Sequence, residues 1–274
     1  MGDVRVVTVV HGRHDHLRRQ LRLLAGTDPT VGHVVVAVDD DGITDVVRTA
    51  KGERDVDLVS CEGDERGLPL ARARNLGVRR ALEAGADLVV LLDVDCLAAP
   101  SLVPRYREAA ASWAGPALLC GPVTYLPADA VLPSRAEALA DLRAPHPARP
   151  DPQPGELRRE STVGLFWSLS AAFTPATWGL LGGFCEEYVG YGGEDTDLGR
   201  VAEERGVDLV WVGGADAFHQ YHPVSAPPVE HLEAIVRNAR VFHDRWGQWP
   251  MEGWLRAFAE RGLVHWSEQD LHLA

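Results

Sequence analysis

At 274 residues the chain has room for one large domain or two small ones, with a sizeable core. Hydrophobic content of 46% and charged content of 24% are ordinary for a globular protein. A net charge of −13 argues against a general binder of nucleic acid or anionic membrane, though not against a nucleotide held through a divalent cation. Cys61, Cys96, Cys120 and Cys185 form no C-x-x-C pair, which argues against a zinc site. No apolar run approaches membrane-spanning length and nothing resembles a signal peptide, so the expectation is a cytoplasmic protein with no transmembrane segment.

The β-rich run Val4 to Val10 ends in His11-Gly12-Arg13, and Leu17, Leu21 and Leu24 then recur at helical spacing: strand, loop, amphipathic helix. Val34 to Val38 is a second apolar strand, closed by Asp39-Asp40-Asp41-Gly42, which an ordinary turn would also explain. Asp57 to Ser60 reads as a third strand. A helix is predicted from Pro69 to Ala84, with Arg72, Arg74, Arg79 and Arg80 on a basic face.

The apolar run Leu88 to Leu92 has the character of a strand buried on both faces, and it stops at Asp93-Val94-Asp95. The two-residue period of a strand would aim Asp93 and Asp95 the same way, so that both reach one cation. Paired hard oxygen ligands suit Mg²⁺ or Mn²⁺ on a diphosphate, at the sheet edge where open α/β folds bind ligands. The same pair would also serve as a plain strand cap. Alternating strands and helices imply an α/β, Rossmann-like unit with a mostly parallel central sheet. There is no G-x-G-x-x-G fingerprint and no P-loop, which counts against dinucleotide and ATP sites.

In the second half, Ala117 to Tyr125 reads as one strand. Pro145 to Pro154 holds five prolines and is expected to be a surface loop, a lid or an irregular excursion. Gly164 to Phe173 is strand-like, and Pro175 suits the first turn of a helix. Tyr191-Gly192-Gly193-Glu194-Asp195-Thr196-Asp197 places carboxylates at a helix N-terminus, where the dipole favours them. Asp208 to Val212 is the last strand, Phe218-His219-Gln220-Tyr221-His222 follows, and a helix is predicted from Val229 to Phe242. The tail, with Trp246, Trp249, Trp254 and Trp266, is helical or irregular.

Taken in order, these features resemble the glycosyltransferases of the GT-A fold, family 2 in particular. The matching residues are Val9 to Arg13, Asp39-Asp40, the run Leu70-Ala71-Arg72-Ala73-Arg74-Asn75-Leu76-Gly77, and Asp93-Val94-Asp95. Gly190 to Asp197 is similar to the G-W-G-G-E-D-D-D element of the β-1,4-galactosyltransferases, with Tyr191 in place of Trp. The resemblance covers residues 4 to 225. It implies a glycosyltransferase domain over 1–225, with a nucleotide-binding half to about 115 and an acceptor half from 116, and a helical extension over 226–274.

The resemblance also implies roles. Asp93 and Asp95 would hold Mn²⁺ or Mg²⁺ on a nucleotide-sugar donor, with His219 as third ligand and His222 as the competing candidate. His11, Gly12, Arg13, Asp39, Asp40 and Arg74 would bind the nucleotide, a uridine diphosphate sugar being favoured. Asp195 matches the general base of an inverting transfer, with Glu194 beside it; the form Gly193-Glu194-Asp195 is what tilts the expectation from retention to inversion. Tyr191 would offer an aromatic face to the sugar, and Gly192 and Gly193 a close backbone approach. The acceptor would be a hydroxyl of a saccharide, glycolipid precursor or small natural product. Two rival readings are a sugar-nucleotide nucleotidyltransferase, whose Gly-rich basic loop His11-Gly12-Arg13 renders poorly, and an inactive carbohydrate-binding relative, which should have lost a carboxylate.

Overall fold

The computed structural model describes residues 2–28, 30–51 and 54–274. Its first half alternates β1 (Val4–Val10), α1 (His14–Thr27), β2 (Gly32–Val38), α2 (Ile43–Ala50), β3 (Val56–Cys61), α3 (Leu70–Glu83) and β4 (Leu88–Leu92). Next come β5 (Cys96–Ala98), α4 (Leu102–Ser112), β6 (Ala117–Cys120), β7 (Val123–Tyr125), β8 (Leu157–Glu160), β9 (Ser170–Phe173) and α5 (Pro175–Leu181). The chain ends with α6 (Glu194–Glu204), β10 (Asp208–Val212), β11 (Ala217–His219), α7 (Leu232–Trp246), α8 (Glu252–Glu260) and the strands β12 (Val264–Trp266) and β13 (Leu271–Leu273).

The eight-stranded sheet has the order β3-β2-β1-β4-β9-β6-β10-β8. Strand β1 pairs in parallel with β2 and β4, β2 with β3, and β10 with β6. Strand β9 runs antiparallel between β4 and β6, and β8 is an antiparallel edge. Successive apolar residues go to opposite cores. Val7, Val89, Leu91 and Phe173 pack with Ala71, Ala73 and Val78 of α3, while Val6, Val90 and Leu92 pack with Leu102 and Tyr106 of α4. Burial on both faces is why β2 and β4 read as unbroken apolar runs. A second sheet, β5-β11-β7, begins just past the turn that ends β4.

Two runs expected to be single strands are not. Ala117 to Tyr125 breaks at Gly121-Pro122, because the Ala215 carbonyl lies where a Cβ on Gly121 would be, 1.9 Å away. The break lets β6 stay in the large sheet while β7 joins β11. In Gly164 to Phe173 only Ser170–Phe173 is strand, since the chain before it leaves the sheet to meet the start of α6. The proline-rich excursion is fastened down. Arg143 pairs with Asp151 and Asp216, Arg149 is buried, and Leu157–Glu160 forms the sheet edge beside β10.

The C-terminal helices are built into the acidic loop. Asn238 donates to the carbonyls of Tyr191 (3.3 Å) and Gly192 (2.7 Å), and Arg237 to that of Val189 (2.6 Å). Asp197, 1% exposed, accepts from Tyr188 Oη (3.1 Å), Arg245 Nε (2.7 Å) and Trp246 Nε1 (2.7 Å). Asp197→Ala should cost about 3 kcal/mol, because it leaves the buried Tyr188 hydroxyl and two partly buried donors without an acceptor. Urea unfolding measures this; a loss under about 1 kcal/mol would show that these bonds do not hold the helix down.

Candidate active site

The turn after β4 carries the first two carboxylates. The Cys96 amide bonds the Asp93 carbonyl at 2.8 Å, so Asp93, Val94 and Asp95 form a tight turn rather than a continued strand. The expectation of two side chains aimed alike by strand periodicity is therefore corrected. The turn sends them to different partners. Asp93 accepts from Arg74 Nη2 at 3.3 Å, and Asp95 from Arg13 Nη1 at 3.0 Å.

Three elements meet at Asp95. Asp95, His219 and His222 offer ligand atoms that all lie within 4.8 Å of one another. One carboxylate with two imidazoles suits Mn²⁺ better than Mg²⁺. Burial holds the His219 imidazole below its ordinary pKa despite the pull of Asp95, so it is neutral at neutral pH, the form that ligates. These side chains fit a divalent cation.

A second cluster centres on Arg74, 6% exposed, which donates to Glu194 Oε1 at 3.1 Å as well as to Asp93. Asp195 accepts the Ser168 amide on Oδ2 at 2.9 Å, while its Oδ1 is shielded from solvent and has no partner. One guanidinium thus faces three carboxylates. Burial, then the neighbouring Asp195, push the Glu194 carboxyl up to about 7 against the pull of Arg74. Burial also raises Asp195, opposed by Arg74 and the Ser168 amide.

No protein-family model matches the chain. It is 30% identical over 230 residues to the validoxylamine A glucosyltransferase of Streptomyces hygroscopicus subsp. jinggangensis (strain 5008), covering 74% of this chain and 52% of that protein. The namesake from Streptomyces hygroscopicus subsp. limoneus is also 30% identical, with 74% and 48% covered. The chain thus spans about half the length of the curated relatives it matches. A mannosyltransferase from Pyrobaculum calidifontis in complex with GDP-Man and Mn²⁺ aligns with a TM-score of 0.59 at 19% identity, over 96% of this chain and 72% of that one. GalNAc-T7 with UDP, GalNAc and Mn²⁺ aligns at 0.57 and 16% identity, over 95% and 50%. The chain has the GT-A fold.

Within that GT-A fold the expected nucleotide residues separate. The His11 ring is bonded to the Val38 carbonyl at 2.8 Å. The Asp40 carboxylate is taken up locally by the Gly12 amide (2.8 Å), His14 Nε2 (2.9 Å) and the Gly42 amide (3.0 Å). Asp39 is exposed at the sheet edge with φ 47°. Arg72 turns away to the Gly63 carbonyl at 3.2 Å. Tyr191 stacks on His231 (4.5 Å) and Trp254 (5.8 Å), so its ring packs against the C-terminal helices. Beside Gly192 and Gly193, at φ 88° and 99°, the room for a Cβ is filled by Met251 Sδ and the Tyr188 ring, each 2.8 Å away. Protein, not an open space, makes side chains there untenable.

Several residues that shape the site gave no sequence signal. Gln20, 1% exposed on α1, donates to the carbonyls of Asp93 and Cys96, both at 2.8 Å, and so clamps the turn from below. The Gln220 amide holds the Asp95 carbonyl at 2.7 Å. Asn75 exchanges two 2.9 Å bonds with the Phe184 backbone. His222 lies with His219, their ligand atoms and that of Asp95 all within 4.8 Å of one another; the H-x-x-H spacing was the available signal.

Gln20→Ala should orphan two carbonyls and free the turn. We expect Mn²⁺ affinity to fall at least several-fold, with about 1–3 kcal/mol lost from stability. Unchanged Mn²⁺ affinity by calorimetry would refute the clamp. Glu194 gives a pH test. The folded chain keeps this proton where the unfolded chain, with a carboxyl near 4.5, has released it, so stability should decline as pH rises from about 4.5 to about 7. Glu194→Gln should flatten that decline, so its melting temperature relative to the parent should improve between pH 5 and pH 8. A difference independent of pH would count against the raised carboxyl.

Proposed function

We propose that the chain is a metal-dependent, family 2-type glycosyltransferase that moves a sugar from a nucleotide-diphosphate sugar to an acceptor hydroxyl with inversion. The observation that carries this is Asp195: one oxygen is held by the Ser168 amide, the other has no partner, and Arg74 ties this acidic cluster to the turn bearing Asp95. Arg13 and Asp39 would hold the nucleotide, with a uridine diphosphate favoured. Asp95, His219 and His222 would hold the Mn²⁺. When bound, the cation offsets charge on the departing diphosphate.

Asp195 Oδ1 takes the acceptor proton as the acceptor oxygen bonds the anomeric carbon. The bond from that carbon to the diphosphate oxygen breaks, and its electron pair leaves with the nucleoside diphosphate. Arg74 and Glu194 hold Asp195 and Asp93 in place. The relatives named for validoxylamine A favour a small natural product as acceptor over a polymer.

A panel of nucleotide sugars, with and without EDTA, tests the reading by release of nucleoside diphosphate. Transfer should vanish in EDTA and return with Mn²⁺. Asp195→Asn should lower turnover about 10²–10⁴-fold while the affinity for free uridine diphosphate changes little. Full turnover in EDTA, or in Asp195→Asn, sinks the metal or the base respectively.

A further inference from the structure

Gln20, which grips the Asp93–Asp95 turn, is itself held. Its Nε2 serves the Asp93 and Cys96 carbonyls only in one of the amide's two orientations; turned over, Oε1 would face those carbonyls and repel them. The amide's other end is met by Thr8 on β1, whose Oγ1 lies 3.0 Å from Gln20 Oε1. Thr8 Oγ1 also lies 2.9 Å from the carbonyl of Leu92, the last residue of β4, and 2.9 Å from His33 Nε2 on β2. All three side chains are buried, so they have to satisfy one another.

The protons available fix the direction of this chain. Burial, with the Arg54 charge beside it, holds His33 down to about 3, so the ring is neutral at neutral pH and carries a single N–H. With that proton on Nδ1, the one Thr8 hydroxyl proton would face three acceptors: His33 Nε2, Gln20 Oε1 and the Leu92 carbonyl. The Nδ1–H would then be shielded from solvent, with no acceptor among the described residues. With the proton on Nε2, the ring donates to Thr8 Oγ1 and the hydroxyl proton is left for Gln20 Oε1 and the Leu92 carbonyl. Only a lone pair on Nδ1 goes unmet, and a buried orphan acceptor is tolerated more often than a buried orphan N–H.

We propose that His33 and Thr8 are positioning residues: His33 Nε2–H donates to Thr8, Thr8 donates to Gln20, and Gln20 is thereby locked with both amide protons on the turn that carries Asp93 and Asp95. This deepens the glycosyl-transfer reading and rests on it for the use to which the turn is put. None of the three side chains bonds a carboxylate of the turn; they act on it through its backbone. Bonds in such a donor-to-acceptor series polarise one another, so the loss of one member weakens the rest. The series also joins β1, β2, α1 and the end of β4, which ties the frame of the turn to the register of the sheet.

Long-range ¹H–¹⁵N NMR of the parent reads the tautomer, and amide hydrogen exchange reads the turn with neither metal nor substrate. The Cys96 amide, bonded to the Asp93 carbonyl, is compared with that of Val210 in the distant β6–β10 pair. Thr8→Val should speed Cys96 exchange about tenfold relative to Val210, and Thr8→Ser should restore most of the protection. His33→Gln sets an amide nitrogen near the place of Nε2 and should keep the turn closed, whereas His33→Asn sets it near that of Nδ1 and should not. By calorimetry, Thr8→Val should lower Mn²⁺ affinity several-fold and add little to the loss in Gln20→Ala, because the two act along one path. An Nδ1–H ring, Cys96 exchange that rises only in step with Val210, equal behaviour of His33→Gln and His33→Asn, or additive losses of Mn²⁺ affinity each overturns the relay. A turn loosened by Thr8→Val in a protein that binds no Mn²⁺ keeps the relay and rejects the cation reading.

Discussion

A single buried cation organises the candidate site of this molecule. Arg74 is supplied by α3, and it meets Asp93 from the turn after β4 and Glu194 from the start of α6. With Asp195 also in its field, the buried guanidinium is outnumbered by carboxylates. Burying one guanidinium without those acids, or the acids without it, would cost several kcal/mol. The elements that carry them are therefore obliged to converge. The imbalance is relieved by Glu194 keeping its proton up to about pH 7, and it leaves Asp195 with an unpaired oxygen.

The precision of the site comes from groups that do no chemistry. The Asp93–Asp95 turn is gripped through its carbonyls by Gln20 and by the Gln220 backbone, so both carboxylates project from a fixed frame. The loop leading into α6 is held in the same way from the other side. Asn238 grips the carbonyls of Tyr191 and Gly192, and Asp197 ties the first turn of α6 to Arg245 and Trp246. The C-terminal helices thus act on the candidate base through backbone placement, and Tyr191 and the two glycines serve that packing. Rigid support of this kind lets a few side chains hold a fixed geometry.

By itself, the sequence determined the α/β alternation, the buried central strand and the order of its acidic motifs. These follow from local periodicity and from carboxylates at strand ends and helix starts, which neighbouring residues dictate. It also pointed to Arg74, Asp95, His219, Glu194 and Asp195, each of which the fold brings to one of the two clusters. Only the tertiary structure decided how the clusters are composed. Asp93 turns toward Arg74 because a tight turn, not a strand, sets its direction, and His222 lies with Asp95 and His219 because β11 ends opposite that turn. Asp40 is consumed by its own loop, whereas Asp39 stays exposed. Gln20 and Ser168 were illegible in the chain, because an amide or a hydroxyl acquires its role from partners tens of residues away. Such long-range pairings have no local pattern to betray them; they exist only once the sheet has set which loops face each other.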